Sequence, residues 1–224
     1  MRIIFLSVLV FCFNCFADYP VLIFKGIIKI QRGAQQINYQ KNTPLLANDI
    51  IQTDGDSHIT VQIRELTFSI GAHSSFRIID AENAKEIHLV SLLYGHALGT
   101  LSKNIKDKYY RIGMYYSSVK FTSSQFLLSV TRSFDEYLKH QQDIYSPIPT
   151  LKEMARFDLR KKLFSQIACI EGSIMAYGKN KDPMVLHTGD LIRFDLGIPT
   201  LKGPLSVGAH SILASSVKLG IVRP

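Results

Sequence analysis

The stretch from Asn48 to Ile78 restricts the fold more than any other part of the chain. Asp49-Ile50-Ile51-Gln52-Thr53 runs into the turn Asp54-Gly55-Asp56, and two alternating apolar pieces follow, Ile59/Val61/Ile63 and Leu66/Phe68/Ile70. After Gly71-Ala72-His73-Ser74-Ser75 comes another, Phe76/Ile78. Successive side chains of a strand point to opposite faces, so this alternation, bounded by Asp, Gly and Ser, predicts antiparallel strands with one buried face. Similar candidates lie on both sides: Leu22-Phe24, Gly26-Gln31 and Gln36-Tyr39 before it, and Glu86-Tyr94, Ala97-Leu101, Tyr109-Tyr116, Ser118-Thr122 and Phe126-Val130 after it. Short strands separated by turn residues predict an all-β fold, with solenoid and sandwich arrangements both open.

One segment breaks this pattern. Phe134, Tyr137, Leu138 and Gln141 are spaced for a short helix, and Ser146-Pro147-Ile148-Pro149 stops it. Thr150-Leu151-Lys152-Glu153 has the form of a capping box, and Leu151, Ala155, Leu159 and Leu163 make an apolar line with Met154, Phe157 and Phe164 widening it. The spacing predicts a helical insertion over 134–166 that covers the β body.

The N-terminus reads as an export signal. Arg2 precedes an apolar run from Ile3 to Phe13 broken only by Ser7, and Cys15-Phe16-Ala17 offers small residues where signal peptidase inspects the chain. Cleavage after Ala17 is preferred to a retained anchor, because the run is shorter than the ~20 residues a spanning helix needs. The expected organisation is a signal over 1–17, a β domain over 18–203 and an extension over 204–224, in a periplasmic or otherwise exported protein. Cys12 and Cys15 then leave with the signal, and Cys169 in Ile167-Ala168-Cys169-Ile170 reads as a small buried hydrophobe. At 46% apolar residues a real core is affordable to the chain, and a net charge of +8 favours anionic surfaces.

An internal echo joins the two ends of the β region. Gly26-Ile27-Ile28-Lys29-Ile30 is followed by Leu45-Leu46-Ala47-Asn48-Asp49-Ile50-Ile51, and Gly172-Ser173-Ile174-Met175-Ala176 by Leu186-His187-Thr188-Gly189-Asp190-Leu191-Ile192. Stacked similar units and coincidental strand-turn grammar both produce such an echo.

The order of these pieces resembles the FecR-like extracytoplasmic domain. A glycine-bearing strand at Gly26-Ile30 precedes Leu46-Ala47-Asn48-Asp49-Ile50-Ile51-Gln52-Thr53, where the family has Leu-x-x-Gly-Asp-x-Ile-x-Thr; Asn48 replaces the glycine and tolerates left-handed angles. Glu65 to Ile78 resembles the family's Asp-Gly-Thr-x-Leu-x-Leu-Gly-Pro-x-Ser element, with Glu65-Leu66 in the Asp-Gly places. Leu92-Ala97, Ser118-Phe126 and Cys169-Ile174 resemble its later strands, so the resemblance runs from about Val21 to Phe194. It implies a non-enzymatic exported domain acting by protein-protein contact in the cell envelope, as a signalling accessory or a scaffold. Without a cytoplasmic segment before the signal, the chain is not expected to hold a sigma factor itself.

Chemistry-bearing patterns are sparse. There is no Gly-x-Ser-x-Gly elbow, His-Glu-x-x-His helix, phosphate loop or Cys-x-x-Cys. The seven histidines are scattered, and Asp54-Gly55-Asp56 reads as hairpin chemistry rather than a calcium loop, so no metal or cofactor is expected. The candidate binding surface is Lys103, Lys106, Lys108 and Arg111 interleaved with Tyr109, Tyr110, Tyr115 and Tyr116. Aromatic faces beside cations suit sugars bearing acidic groups, whereas alternation turns one tyrosine of each pair inward and lysines protect sheet edges. The alternative function is therefore a binding module for peptidoglycan, polysaccharide or anionic lipid. An envelope protein is the expected partner, and no specific nucleic acid is.

Overall fold

A computed structural model describes residues 18–101, 109–122, 124–132, 163–179 and 182–204. These residues form fifteen strands and no helix: β1 Val21–Lys25, β2 Ile28–Arg32, β3 Gln35–Asn38, β4 Ile50–Thr53, β5 His58–Ile63, β6 Leu66–Ile70, β7 Ser75–Glu82, β8 Glu86–Leu101, β9 Tyr109–Gly113, β10 Ser118–Phe121, β11 Ser124–Arg132, β12 Leu163–Tyr177, β13 Pro183–His187, β14 Asp190–Asp195 and β15 Ile198–Pro204. The all-β expectation is met. Most of the 134–166 insertion lies outside the described residues, but its last four residues, Leu163 to Gln166, are strand. The helical reading overran there because Leu163 and Phe164 continue the apolar spacing, while backbone pairing of β12 with β11 and β14 decides their conformation.

The strands divide into two ladders. Sheet A runs β1-β5-β6-β8-β11-β12-β14-β15 and sheet B runs β3-β2-β4-β7-β8-β9-β10-β12-β13. All pairs are antiparallel except β8 with β9. The 16-residue β8 and the 15-residue β12 belong to both sheets, contributing one half to each, so the hydrogen-bonded network is continuous. The inward positions of the sheets share one core. Phe68 of sheet A meets Phe76 of sheet B edge-on at 5.7 Å, and Phe121 of sheet B meets Phe126 of sheet A at 4.5 Å. Ring pairs at such spacings add attraction beyond the area they remove from water.

Passing from one sheet to the other requires a sharp turn in an extended backbone, and one device recurs where this happens. Gly26 between β1 and β2, Gly95 within β8 and Gly172 within β12 all have positive φ, at 79°, 94° and 83°. A hydroxyl sits in each corner. Ile27 N–H donates to Ser57 Oγ at 2.8 Å, His96 N–H to Ser74 Oγ at 3.0 Å and Gly172 N–H to Thr188 Oγ1 at 3.1 Å. A Cβ on Gly95 would overlap Ser74, so the position excludes side chains by space as well as by conformation. Ser74 is tied in turn to β4: its N–H donates to Thr53 Oγ1 at 2.9 Å, and that hydroxyl donates to Gly71 O at 2.6 Å. What reads in the sequence as two strands, Glu86-Tyr94 and Ala97-Leu101, is therefore one strand bent through a glycine.

Asp54-Gly55-Asp56 is not a hairpin. Ser57 N–H closes a β-turn onto Asp54 O at 3.0 Å, but β4 pairs with β2 and β7 while β5 pairs with β1 and β6, so the turn carries the chain between sheets. The hairpin turn is Arg64-Glu65, with Arg64 at φ 53° and Ile63 opposite Leu66. Glu65-Leu66 thus replaces Asp-Gly without loss of the hairpin.

The internal echo has a local structural basis. Asn48 and Gly189 both have positive φ, at 70° and 88°, and the aspartate after each accepts the N–H three residues upstream. Asp49 Oδ2 takes Leu46 N–H at 2.8 Å, and Asp190 Oδ2 takes His187 N–H at 2.9 Å. The likeness ends with the pairing. β4 pairs with β2, the strand after Gly26, whereas β14 pairs with the half of β12 before Gly172. The units repeat a corner rather than a translated layer.

Two stability measurements test this account. Gly95→Ala combines a left-handed backbone with an overlap on Ser74 and should cost about 2–5 kcal/mol in urea unfolding; Gly33→Ala, with open space around it, should cost about 1 kcal/mol, the conformational part alone. His96 tests the pH dependence. Burial holds its pKa below the ordinary value, and its Nδ1 has no hydrogen-bond partner among the described residues. The unfolded chain binds the extra proton first, near pH ~6.5, so stability is full above that pH and falls as pH drops toward the depressed folded value. Unfolding midpoints should decline across this window, and His96→Gln should flatten the slope.

Candidate functional site

The predicted Lys/Tyr surface separates into parts when followed residue by residue. Lys103, Lys106 and Lys108 lie outside the described residues. Tyr109 begins β9 opposite Glu86 and is exposed. Tyr110 points inward: it is 1% exposed, packs on Phe121 at 6.0 Å between ring centroids, and donates its hydroxyl to the Glu65 carboxylate. Burial first, then that bond and the carboxylate charge, push the phenol upward from its ordinary pKa. Tyr110 is thus a core residue with a polar tip and not part of a binding surface. Tyr115 and Tyr116 stand edge to face at 4.9 Å beyond the other end of β9, with Tyr115 packed on the core and Tyr116 exposed. Tyr109 and Tyr116 are separated by the whole strand, about 16 Å of chain, so they form no shared platform.

The described cations here are already matched. Glu86 accepts from Arg111 Nη1 at 3.1 Å and from Lys120 Nζ at 2.7 Å, and Lys120 also lies 5.1 Å from the Tyr177 ring centroid. The bond from Lys120 is the leading cause that holds the Glu86 carboxyl below its ordinary pKa. A partner anion would compete with a carboxylate fixed in place.

No described cluster assembles a reaction. Ser91 Oγ is 3.3 Å from His88 Nε2, but the same nitrogen is 3.1 Å from Val90 O. A carbonyl oxygen only accepts, so Nε2 carries the proton in that bond and is not a base for Ser91. Cys169 is fully buried, its thiol raised to about 11 by burial, which leaves almost no thiolate for nucleophilic attack. Among the described residues no three His, Cys, Asp or Glu side chains are grouped to hold a metal.

What the sequence reading missed is apolar exposure at both ends of sheet A. Among the described strands β1 pairs only with β5, and Leu22, Ile23, Phe24 and the following Ile27 are 52, 49, 38 and 57% exposed. Among the described strands β15 pairs only with β14, and Ile198 and Leu201 are 53 and 55% exposed. A continuous apolar run such as Val21-Leu22-Ile23-Phe24 usually signals a strand buried on both faces. Pro20 before it was the available signal for an edge, since proline is confined to edges and strand starts. A groove of about 530 Å³ lies along β1, walled by Tyr19, Val21, Phe24, Tyr39, Lys41 and Pro44.

No family model matches the chain, and no curated protein matches it. Among solved structures, two crystal structures of a "putative anti-sigma factor" from Parabacteroides distasonis are similar, each at 13% identity, with TM-scores of 0.51 and 0.48. They cover 74% and 69% of this chain, which spans 63% and 59% of their own lengths. The first shows a shared fold.

Two substitutions test the assignments around β9. Tyr110→Phe removes one hydrogen bond and leaves the Glu65 carboxylate without it, a loss of about 1–2 kcal/mol in unfolding, with no change in attachment to envelope polymer. Glu86→Gln should cost about 1 kcal/mol or less. The Glu86 contribution is present above the ordinary carboxyl range and lost as pH falls toward its depressed folded pKa, so the variant and parent should converge in acid.

Proposed function

We propose that the chain is a FecR-like domain, exported by cleavage after Ala17, which acts without catalysis through protein-protein contact in the cell envelope as a signalling accessory or scaffold. The observation that carries this reading is the pair of exposed aliphatic side chains Ile198 and Leu201 at the β15 edge, in a fold shared with a protein described as a "putative anti-sigma factor". Exposed aliphatic side chains next to charges of both signs, the Arg193–Asp195 pair and Lys202, have the make-up of a protein contact with an apolar centre and a polar rim. Pro199 and Pro204, with the register shift between Arg193 and Phe194, interrupt the outer backbone row, so contact would proceed through side chains rather than strand addition. The regulatory character of the proposal is supported by the neighbour's description and the FecR-like order of motifs.

Crosslinking in intact envelope tests it. The unsubstituted chain should return a stoichiometric protein partner, and Ile198→Lys with Leu201→Lys should reduce that recovery at least tenfold, the loss expected when more than about 1.4 kcal/mol of contact is removed. Empty captures with the parent chain, or equal recovery by the variant, would overturn the assignment of this patch.

A further inference from the structure

We infer that the opposite edge, β1 with Ile27, is a docking face for an anionic lipid bilayer. Leu22, Ile23, Phe24 and Ile27 are all large, apolar and more than a third exposed. Ile23 lies opposite Thr60 and Phe24 opposite Ile59, so these two point to opposite sides of β1, and apolar exposure on both sides of an edge calls for a covering phase. A register shift between Val21 and Ile23 sets the edge apart from a regular strand: Val21 lies opposite Val61 and Ile23 opposite Thr60, which leaves Leu22 as the extra residue. A bulge breaks the row of backbone groups that a strand-adding partner requires, yet it does nothing to hinder side chains from entering a hydrocarbon boundary.

The surroundings agree with lipid as the occupant. Lys25 closes the strand and Lys41 lines the groove beside it, against Asp18 as the acid on the same groove. Two cations beside exposed apolar groups complement anionic headgroups and repel a second copy of the same face. Tyr39 stacks edge-on against Phe24 at 4.9 Å, which places an amphipathic ring at the border where tyrosines settle in membranes. The apolar N-terminal run also lies close in sequence. Five residues lie between Phe16 and Leu22, at most about 20 Å of chain, so a bilayer engaged by that run during export would be within reach of β1.

This inference is independent of the protein-contact reading at β15, and lipid vesicles contain no protein, so the two fail separately. The test uses the mature chain from Asp18 with Cys169 replaced and a single fluorophore at Ile27→Cys, or at Leu201→Cys as the far-edge control. Each is mixed with vesicles of phosphatidylcholine and phosphatidylglycerol that carry a nitroxide-labelled lipid. The Ile27 probe should lose most of its emission to the nitroxide while the Leu201 probe keeps it. Vesicles of phosphatidylcholine alone, or the added pair Lys25→Glu and Lys41→Glu, should weaken the loss. Leu22→Ser with Phe24→Ser, both at exposed positions, should abolish it with the far-ultraviolet spectrum unchanged. No quenching at Ile27, equal quenching at both probes, or a spectral shift of the Ile27 probe that grows with protein concentration in the absence of vesicles would overturn the proposal, the last by showing that a second copy covers the edge.

Discussion

The hydroxyl-capped glycine corner is the constraint from which the rest of this fold follows. A strand that must serve two sheets has to turn sharply without losing its place in either ladder. An L-residue resists the left-handed angle this needs, and the N–H freed at the turn is costly to bury unpaired. Glycine removes the first obstacle, and Ser57, Ser74 or Thr188 removes the second. Because β8 and β12 both pass through such corners, each half of those strands is held in register by neighbours in a different sheet. Loss of a corner therefore disturbs both sheets and the aromatic contacts between them.

Local chemistry in this chain was legible where it was self-contained. Alternation located β5, β6 and β7 because each side chain's direction is set by its own backbone, and Asn48 could be read as a left-handed residue because few others tolerate that angle. Partner choice was not legible. Asp54-Gly55-Asp56 has the composition of a hairpin turn, but whether the flanking strands pair depends on β1, β2, β6 and β7, which compete for them. Leu163 and Phe164 fit a helical line equally well until β11 and β14 claim their backbone.

The described part of the candidate surface is divided for an electrostatic reason that spacing does not reveal. Lysines, arginines and tyrosines close in sequence look like a cationic aromatic surface, but Glu86, more than twenty residues away, satisfies both Arg111 and Lys120. Glu65 likewise takes the Tyr110 hydroxyl into the interior. Each carboxylate arrives from elsewhere in the chain, Glu86 from β8 and Glu65 from the β5–β6 turn, so the charge that remains for a ligand depends on tertiary pairing. The apolar edges escaped notice for the converse reason: hydrophobic residues are read as core unless something identifies their strand as the last in its sheet.

Sheet A ends in two apolar edges of different character, and that asymmetry links the fold to its setting. At β15 the exposed aliphatic residues lie among charges of both signs and next to prolines that close the backbone row. At β1 they lie with lysines, an interfacial tyrosine and a long groove. Eight strands of sheet A lie from one edge to the other, about 34 Å measured along the sheet at ordinary strand spacing. That distance lets one edge rest on a bilayer while the other remains accessible to a protein, without either contact requiring the core to move. Under the two proposals the domain would transmit position rather than conformational change, with lipid contact at β1 fixing where β15 is presented.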